Sequence, residues 1–290
     1  MRKKRTALLL LLPFFCLTAL VLAAAAIVLL QSLGYIPVFG LTTFTTAYFE
    51  DILTNKGFLR SLSVSLYLAL VSAFVAAALG VLVAAALVAL KKTDSAAVHI
   101  VRLPILVPHL VVAVFIVTIF SQTGLLARGA YALGLISDST QFPQFLYTES
   151  FTGAILAYLW KEIPFVAYFV LALMSGISDT LGQAAENLGA SPLRSFFQVT
   201  LPLTMPSILN AFLIIFIFAF GGYELPALLG PTLPKALPVL AYLEFSSPDL
   251  LNRPYAMAAN AVILFISCAT ALLYLILTRR LIKKLGGERI

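Results

Sequence analysis

Charge is scarce in this sequence: only 11% of its 290 residues are Asp, Glu, Lys or Arg, against roughly 25% in a soluble domain. That shortage argues against a water-soluble globule, and the 61% of hydrophobic residues point to the membrane class instead. Cysteine is almost missing. Cys16 and Cys268 both lie inside apolar runs with no CxxC or Cys/His spacing, so neither a disulfide framework nor a zinc site is supported. Histidine is limited to His99 and His109, with no HExxH and no carboxylate at ligand spacing. Both read as polar residues near a membrane boundary, and no metal site is expected. A phosphate-cradling GxxxxGK[ST] loop is also absent: "GPTLPKA" lacks the second glycine and the Lys-Ser/Thr ending. No nucleophile elbow and no pair of aspartates within a span exists, so no catalytic residue is assigned and an enzyme is not expected.

What the chain does have is apolar length. Six runs approach or exceed the ~20 residues needed to cross a bilayer, at residues 7–30, 62–90, 100–120, 151–174, 207–229 and 257–278. "KALPVLAYLEF", between the fifth and sixth, is too short to cross and reads as interfacial or partly re-entrant. Lys and Arg set the orientation. With the N-terminus inside, the cytoplasmic set is Arg2, Lys3, Lys4, Arg5, Lys91, Lys92, Arg102, Arg194, Arg279, Arg280, Lys283, Lys284 and Arg289. The outer loops hold only Lys56, Arg60, Arg128, Lys235 and Arg253. The net charge of +7 is therefore an orientation signal, and no nucleic-acid partner is implied. The expected fold is all-α and integral to the membrane, with six transmembrane helices, N-in and C-in, contacting membrane lipid. The first run also resembles a signal peptide, but its 24 apolar-rich residues exceed the usual ~7–15 and favour a retained span.

Several spans carry interruptions. Pro164 is expected to break the fourth, and Gly221, Gly222 and Pro226 the fifth near its outer end; such breaks survive where helices or a water-lined cavity satisfy the freed backbone. Gly80, in an alanine-rich second span, permits close helix approach. Lys161 and Glu162 fall mid-span, where a charge costs on the order of 2.5–3.5 kcal/mol, so function is the default hypothesis. Tyr158, Glu162, Phe165 and Phe169 share one helical stripe. Tyr223 and Glu224, in "GGYELP", add a second acid beside an aromatic ring. Acids with aromatic faces suit passage of a cation. Pairing of Glu162 with a basic residue for packing is the competing reading.

Residues 178–206, "SDTLGQAAENLGASPLRSFFQVTLPLTMP", fall between the fourth and fifth spans, on the cytoplasmic side. Their chemistry predicts two short helices with a sharp corner. Ser178 or Asp179 would cap the first, Gly189 would stop it in the left-handed conformation, and Ser191-Pro192 would restart the chain as N-cap and N1. "LPLTMP" would end that element before the next span. The composition also fits an ordinary amphipathic hairpin lying on headgroups. The order of residues, however, resembles the EAA motif of ABC-importer permeases. Ala184, Ala185, Gly189, Val199, Leu201 and Pro202 match with the spacing intact, while Gln183 stands where the family usually has Glu. "WKEIPFVAYFVLALMSGI" and "FGGYELPALLG" resemble the polyamine, iron and thiamine branch of these permeases. The resemblance runs from about residue 62 onward, dividing the chain into an N-terminal span with its outer loop (1–61) and a permease core (62–290).

The resemblance implies the type I ABC-importer permease (MetI-like) fold in the bacterial cytoplasmic (inner) membrane. It also implies a coupling helix that docks into a cytoplasmic ABC ATPase dimer. Gln183, Ala184, Ala185, Glu186, Gly189, Ala190, Ser191, Leu201 and Pro202 would form that element, with Glu186 one turn on as a stand-in for the charge that Gln183 lacks. ATP and Mg would be bound by the partner ATPase, leaving no cofactor in this chain. A second permease subunit, homologous or identical, and an extracytoplasmic substrate-binding protein complete the implied assembly. Tyr158, Glu162, Phe165, Tyr223 and Glu224 are the candidate pathway residues, for a small cation such as a polyamine; ferric iron, thiamine or a phosphonate fit the same branch. An ion-coupled secondary transporter using Glu162 is the alternative of another class. It would show an inverted repeat with paired broken helices, and spans one to three and four to six show no such match. A membrane-embedded enzyme and a non-transporting ATPase anchor are the remaining alternatives.

Overall fold

The computed structural model describes residues 2–93 and 95–284, with side chains described from Leu10 onward except Ile282 and Lys284. Arg289, counted above among the inner basic residues, lies outside the described residues. Helices account for nearly all regular structure, and the only β pairing among the described residues is an isolated bridge between Ile36 and Leu41. In chain order the helices are α1 (Arg2–Ser32), α2 (Ala47–Thr54), α3 (Lys56–Ala89), α4 (Ala96–Arg102), α5 (His109–Phe120), α6 (Leu125–Ala132) and α7 (Thr152–Ile177). They continue with α8 (Gln183–Asn187), α9 (Pro192–Ser195), α10 (Leu201–Phe220), α11 (Glu224–Leu229), α12 (Leu237–Phe245) and α13 (Arg253–Lys284). Six stretches among the described residues are long and apolar enough to cross a membrane: Leu10–Ser32, Lys56–Ala89, His109–Ala132, Thr152–Asn187, Pro192–Phe220 and Leu250–Leu281.

The chain forms two compact units. One comprises Met1–Arg60 with Leu237–Phe265, the other Ser61–Ala236 with Ile266–Ile290. In the first, Tyr48 meets Tyr255 edge to face at 5.0 Å, and the Tyr255 hydroxyl donates to Asp51 Oδ2 at 3.0 Å. Arg253 sits 3.9 Å above the Phe245 ring, a cation–π contact at the start of α13. Asn55 opens α3, its Oδ1 accepting from the N–H groups of Gly57 and Phe58, which otherwise have no helical partner. α12 is a nine-residue helix, too short to cross, as its length predicted.

The second unit is built around α7. α10 lies along it, α5 and α11 pack at its outer half, and α4 with the tight turn Leu103–Leu106 packs toward its inner half. The small residues of α3 serve close packing, as expected: Ala69, Ala73, Ala76 and Ala84 are fully buried. At Gly80 the backbones come so near that a Cβ would lie 2.5 Å from Val166 Cβ and 2.8 Å from the Ile163 carbonyl.

Four expectations need correction. The run 100–120 is not one helix: it breaks at Val107-Pro108 and restarts as α5 at His109. Pro104 and Pro108 withhold two N–H groups, and a residue before proline is driven to the extended backbone that Val107 adopts. Pro164 does not break the fourth span, because α7 runs through it for 26 residues; one lost hydrogen bond is outweighed where the helix is packed on several sides. No cap forms at Ser178 or Asp179. The helix continues through a wide π turn, Ser178–Gly182, into α8. Likewise "LPLTMP" ends nothing: a second π turn, Phe196–Thr200, leads directly into α10, which begins at Leu201 and runs past Pro206. Pro202 stands in the first turn of α10, where its missing N–H costs least. The fifth span is accordingly shifted toward the N-terminus and stops at Phe220, with Gly221-Gly222 separating it from α11 as the glycines predicted.

Candidate functional site: an inner elbow and a mid-membrane polar cluster

The stretch 178–206 forms an elbow between two helical limbs. The first limb closes as a Schellman turn: the Gly189 N–H donates to Glu186 O at 2.9 Å and the Ala190 N–H to Ala185 O at 3.0 Å. Gly189 takes φ +95°, a region that costs other L-residues about 1–2 kcal/mol. Ser191 then caps the second limb, its Oγ accepting from the Arg194 N–H at 3.4 Å, with Pro192 at the first helical position. The limbs are tied at their base. Ser195, buried, donates from Oγ to the Gly182 carbonyl at 3.0 Å, and a Cβ on Gly182 would stand 3.3 Å from that Oγ and 3.5 Å from Thr200 Oγ1.

The tip of the elbow is exposed and apolar. Leu188 is 90% exposed and Leu193 72%, while Gln183, Ala184, Glu186, Gly189 and Ser191 are also exposed and Ala185 and Ala190 half-buried. Among the described residues, nothing other than its chain neighbours lies within 4 Å of a Cβ built on Gly189. Leu201 and Pro202 sit at the root, half-buried. Two bare leucines beside a small-residue corner form a low apolar knob on a tied base.

The second constellation lies halfway along α7. Breaking the chain at Val107 strands a carbonyl, which in hydrocarbon costs several kcal/mol. Lys161 resolves it, donating from Nζ to Val107 O at 2.7 Å across 54 residues of sequence. Glu162 is next to it and 8% exposed. His109, the first residue of α5, places Nδ1 3.7 Å from Glu224 Oε2 and stacks at a tilt 5.1 Å from Phe218. Its Nε2 is buried without a hydrogen-bond partner among the described residues. Lys161 and Glu224 both act electrostatically on His109. Tyr158 is buried, and its hydroxyl lies against Gly222, where any Cβ would collide with it. Gly222 thus lets the α10–α11 break close over Tyr158.

Two chain breaks therefore converge on the centre of the continuous α7: the one before α5 and the one between α10 and α11. Tyr158, Glu162 and Glu224 of the candidate pathway residues meet there, and Tyr223 stands beside Glu224 at the head of α11. Glu224 is 63% exposed in its side chain. Phe165 does not join them. It lines a separate cavity with Phe169, its ring 5.6 Å away. Sequence reading missed Lys161 and His109 as members of the cluster, and Leu188, Leu193, Gly182 and Ser195 in the elbow. Pro104, within the Leu103–Leu106 turn, and Pro108, just after it, were the available signal for the break that recruits Lys161 and His109.

Residues 76–283 match the family described as the binding-protein-dependent transport system inner membrane component. The molybdenum transport system permease protein of Haemophilus influenzae is 26% identical over 192 residues, 64% of this chain and 78% of the relative. The putrescine transport system permease protein of Escherichia coli is 23% identical over 222 residues, covering 76% of this chain and 72% of its own length. Among solved structures, a chain of a bacterial ABC transporter involved in the import of the acidic polysaccharide alginate superposes with a TM-score of 0.70 and 22% identity, over 93% of this chain and 97% of that one. With six apolar helices in this arrangement, the chain belongs to the binding-protein-dependent transport system inner membrane components: it is the permease subunit of an ABC importer, a multi-pass protein of the bacterial cytoplasmic membrane.

Proposed function

We propose that this permease forms the translocation pathway of an ATP-driven importer and takes its energy from a separate cytoplasmic ATPase dimer that grips the elbow. The observation that carries this reading is the tip itself. Leu188 at 90% exposure and Gly189 at φ +95° crown a corner fixed by the Ser195–Gly182 hydrogen bond, so force applied at the tip passes into α7 and α10 rather than being lost in a loose loop. Gln183 carries no charge for a basic group on the ATPase, and Glu186, exposed one turn further on, supplies it. A second permease subunit completes the pathway, and an extracytoplasmic binding protein delivers the cargo.

The cargo reading is a small cation such as a polyamine, admitted by Tyr223 and the largely exposed Glu224. A putrescine permease among the relatives supports it. A second reading, an oxyanion, is favoured by Lys161 and His109 in the same cluster and by the molybdenum permease relative. Titration of the partner binding protein with putrescine, spermidine, molybdate and sulfate separates the two. Polyamine binding, with uptake lowered at least tenfold in Glu224→Gln, supports the cation. Binding of an anion instead, with uptake lost in Lys161→Met, transfers the assignment to the second reading.

A further inference from the structure

His109 is the first residue of α5 and Glu224 the first of α11, so their approach to 3.7 Å ties together the two chain breaks that meet on α7. That distance is longer than a hydrogen bond. The contact is held by electrostatics and by Phe218, in the last turn of α10, whose ring lies 5.1 Å from that of His109. His109 Nε2 is buried with no hydrogen-bond partner among the described residues, which costs free energy, so the closed contact is only lightly favoured. The two ends of α11 differ. Its far end is pinned: the Tyr147 N–H donates to the Leu229 carbonyl at 3.1 Å, and a Cβ on Gly230 would stand 2.7 Å from Phe151 Cε1. Its near end follows Gly221, Gly222 and Tyr223, and the Glu224 side chain there is 63% exposed. Leu225 and Leu229 are buried, so α11 is seated and parts from α5 only when work is done on it.

We infer that His109 and Glu224 form a latch that holds the translocation pathway shut at the α10–α11 break, and that closure of the ATPase on the elbow parts them. The inference rests on the pathway and ATPase reading proposed above. One helix connects the two places: α10 runs from the elbow root at Leu201 to Phe220, so a displacement of the elbow reaches Phe218 and the glycine pair. Coupling between two sites is reciprocal. If closure of the ATPase opens the latch, weakening the latch must ease that closure.

Two measurements on the assembled transporter test this. In proteoliposomes without binding protein, His109→Leu and Glu224→Leu should each raise ATP hydrolysis about fivefold, the lower end of usual coupling between sites. His109→Gln, which keeps an N–H for the carboxylate, should raise it less. A merely structural role would lower Tm without raising hydrolysis, so hydrolysis at or below the wild-type rate in both leucine variants would overturn the latch. The second measurement needs no change in rate. His109→Cys with Glu224→Cys, in a chain also carrying Cys16→Ser and Cys268→Ser, is bridged with a short bis-methanethiosulfonate. Bridging should be efficient without nucleotide and fall about fivefold in complexes shown to retain ADP trapped by vanadate. Equal bridging in both states would mean that the two residues do not part, and no bridging in either would mean that they do not meet; each overturns the inference. Wild-type uptake that needs no ATPase would remove the reading beneath it, whereas ATPase-dependent uptake with latch variants indistinguishable from wild type removes the latch alone.

Discussion

Gly189 separates two demands that usually travel together. Its φ of +95° asks for a residue that tolerates the left-handed region, while the empty space around it asks nothing of size within this chain. Gly189→Asn, which adopts αL readily, should therefore insert and fold like wild type. Gly189→Leu should cost about 1–2 kcal/mol locally and still insert. If a partner surface closes on this corner, both variants should lose ATPase co-purification, Leu more than Asn; normal assembly and uptake in Gly189→Leu would show that nothing docks there. Lys161 supports a different prediction. Lys161→Met leaves the Val107 carbonyl unpaired and Glu162 without its neighbouring cation, and should destabilise the protein by about 1–3 kcal/mol, read as a lowered Tm in micelles. Lys161→Met combined with Glu162→Gln should recover part of the loss; no recovery would mean the two side chains do not share one electrostatic site.

Among the elements, the α7 and α10 limbs meet the elbow through π turns, which recur at functional sites and widen the helix by one residue. The tie at Gly182 and Ser195 makes the pair a single lever. Ser195→Ala should cost about 1 kcal/mol and Gly182→Leu more, since the added side chain meets Ser195 and Thr200; limited proteolysis at the 188–193 tip should quicken in both. Gly80→Leu should overpack the α3–α7 crossing at a cost of about 1–3 kcal/mol, with Gly80→Ala milder; an unchanged Tm in Gly80→Leu would mean that the two helices stand further apart than described. What was legible in the sequence at this scale was local. The Gly189 stop and the Ser191-Pro192 restart depend on a few adjacent residues, and both formed. The absent cap at Ser178 depended on a partner limb more than ten residues away, and the Lys161–Val107 bond on one 54 residues away, so neither could be read from neighbouring residues. Pro164 misled for the same reason: a helix interior tolerates proline when its surroundings hold it.

For the whole molecule, apolar length and the scarcity of charge were enough to place a six-span membrane protein, and the ordered small residues of the elbow were enough to place its family. The cargo was not legible, because the cluster that faces the break mixes Glu162 and Glu224 with Lys161 and His109, and the contacts of the two basic residues, Lys161 with the Val107 carbonyl and His109 with Glu224, emerged only from folding. The central claim is that transport through this chain is driven at the elbow by a separate ATPase. Proteoliposomes containing this permease, its partner ATPase and the binding protein loaded with its ligand test it most directly, by comparing uptake driven by ATP at the cytoplasmic face with uptake driven by a proton or sodium gradient. Uptake that requires ATP, the ATPase and the binding protein together, and that is lost in Gly189→Leu, is the predicted result. Gradient-driven uptake by this chain alone, abolished by Glu162→Gln, would contradict it.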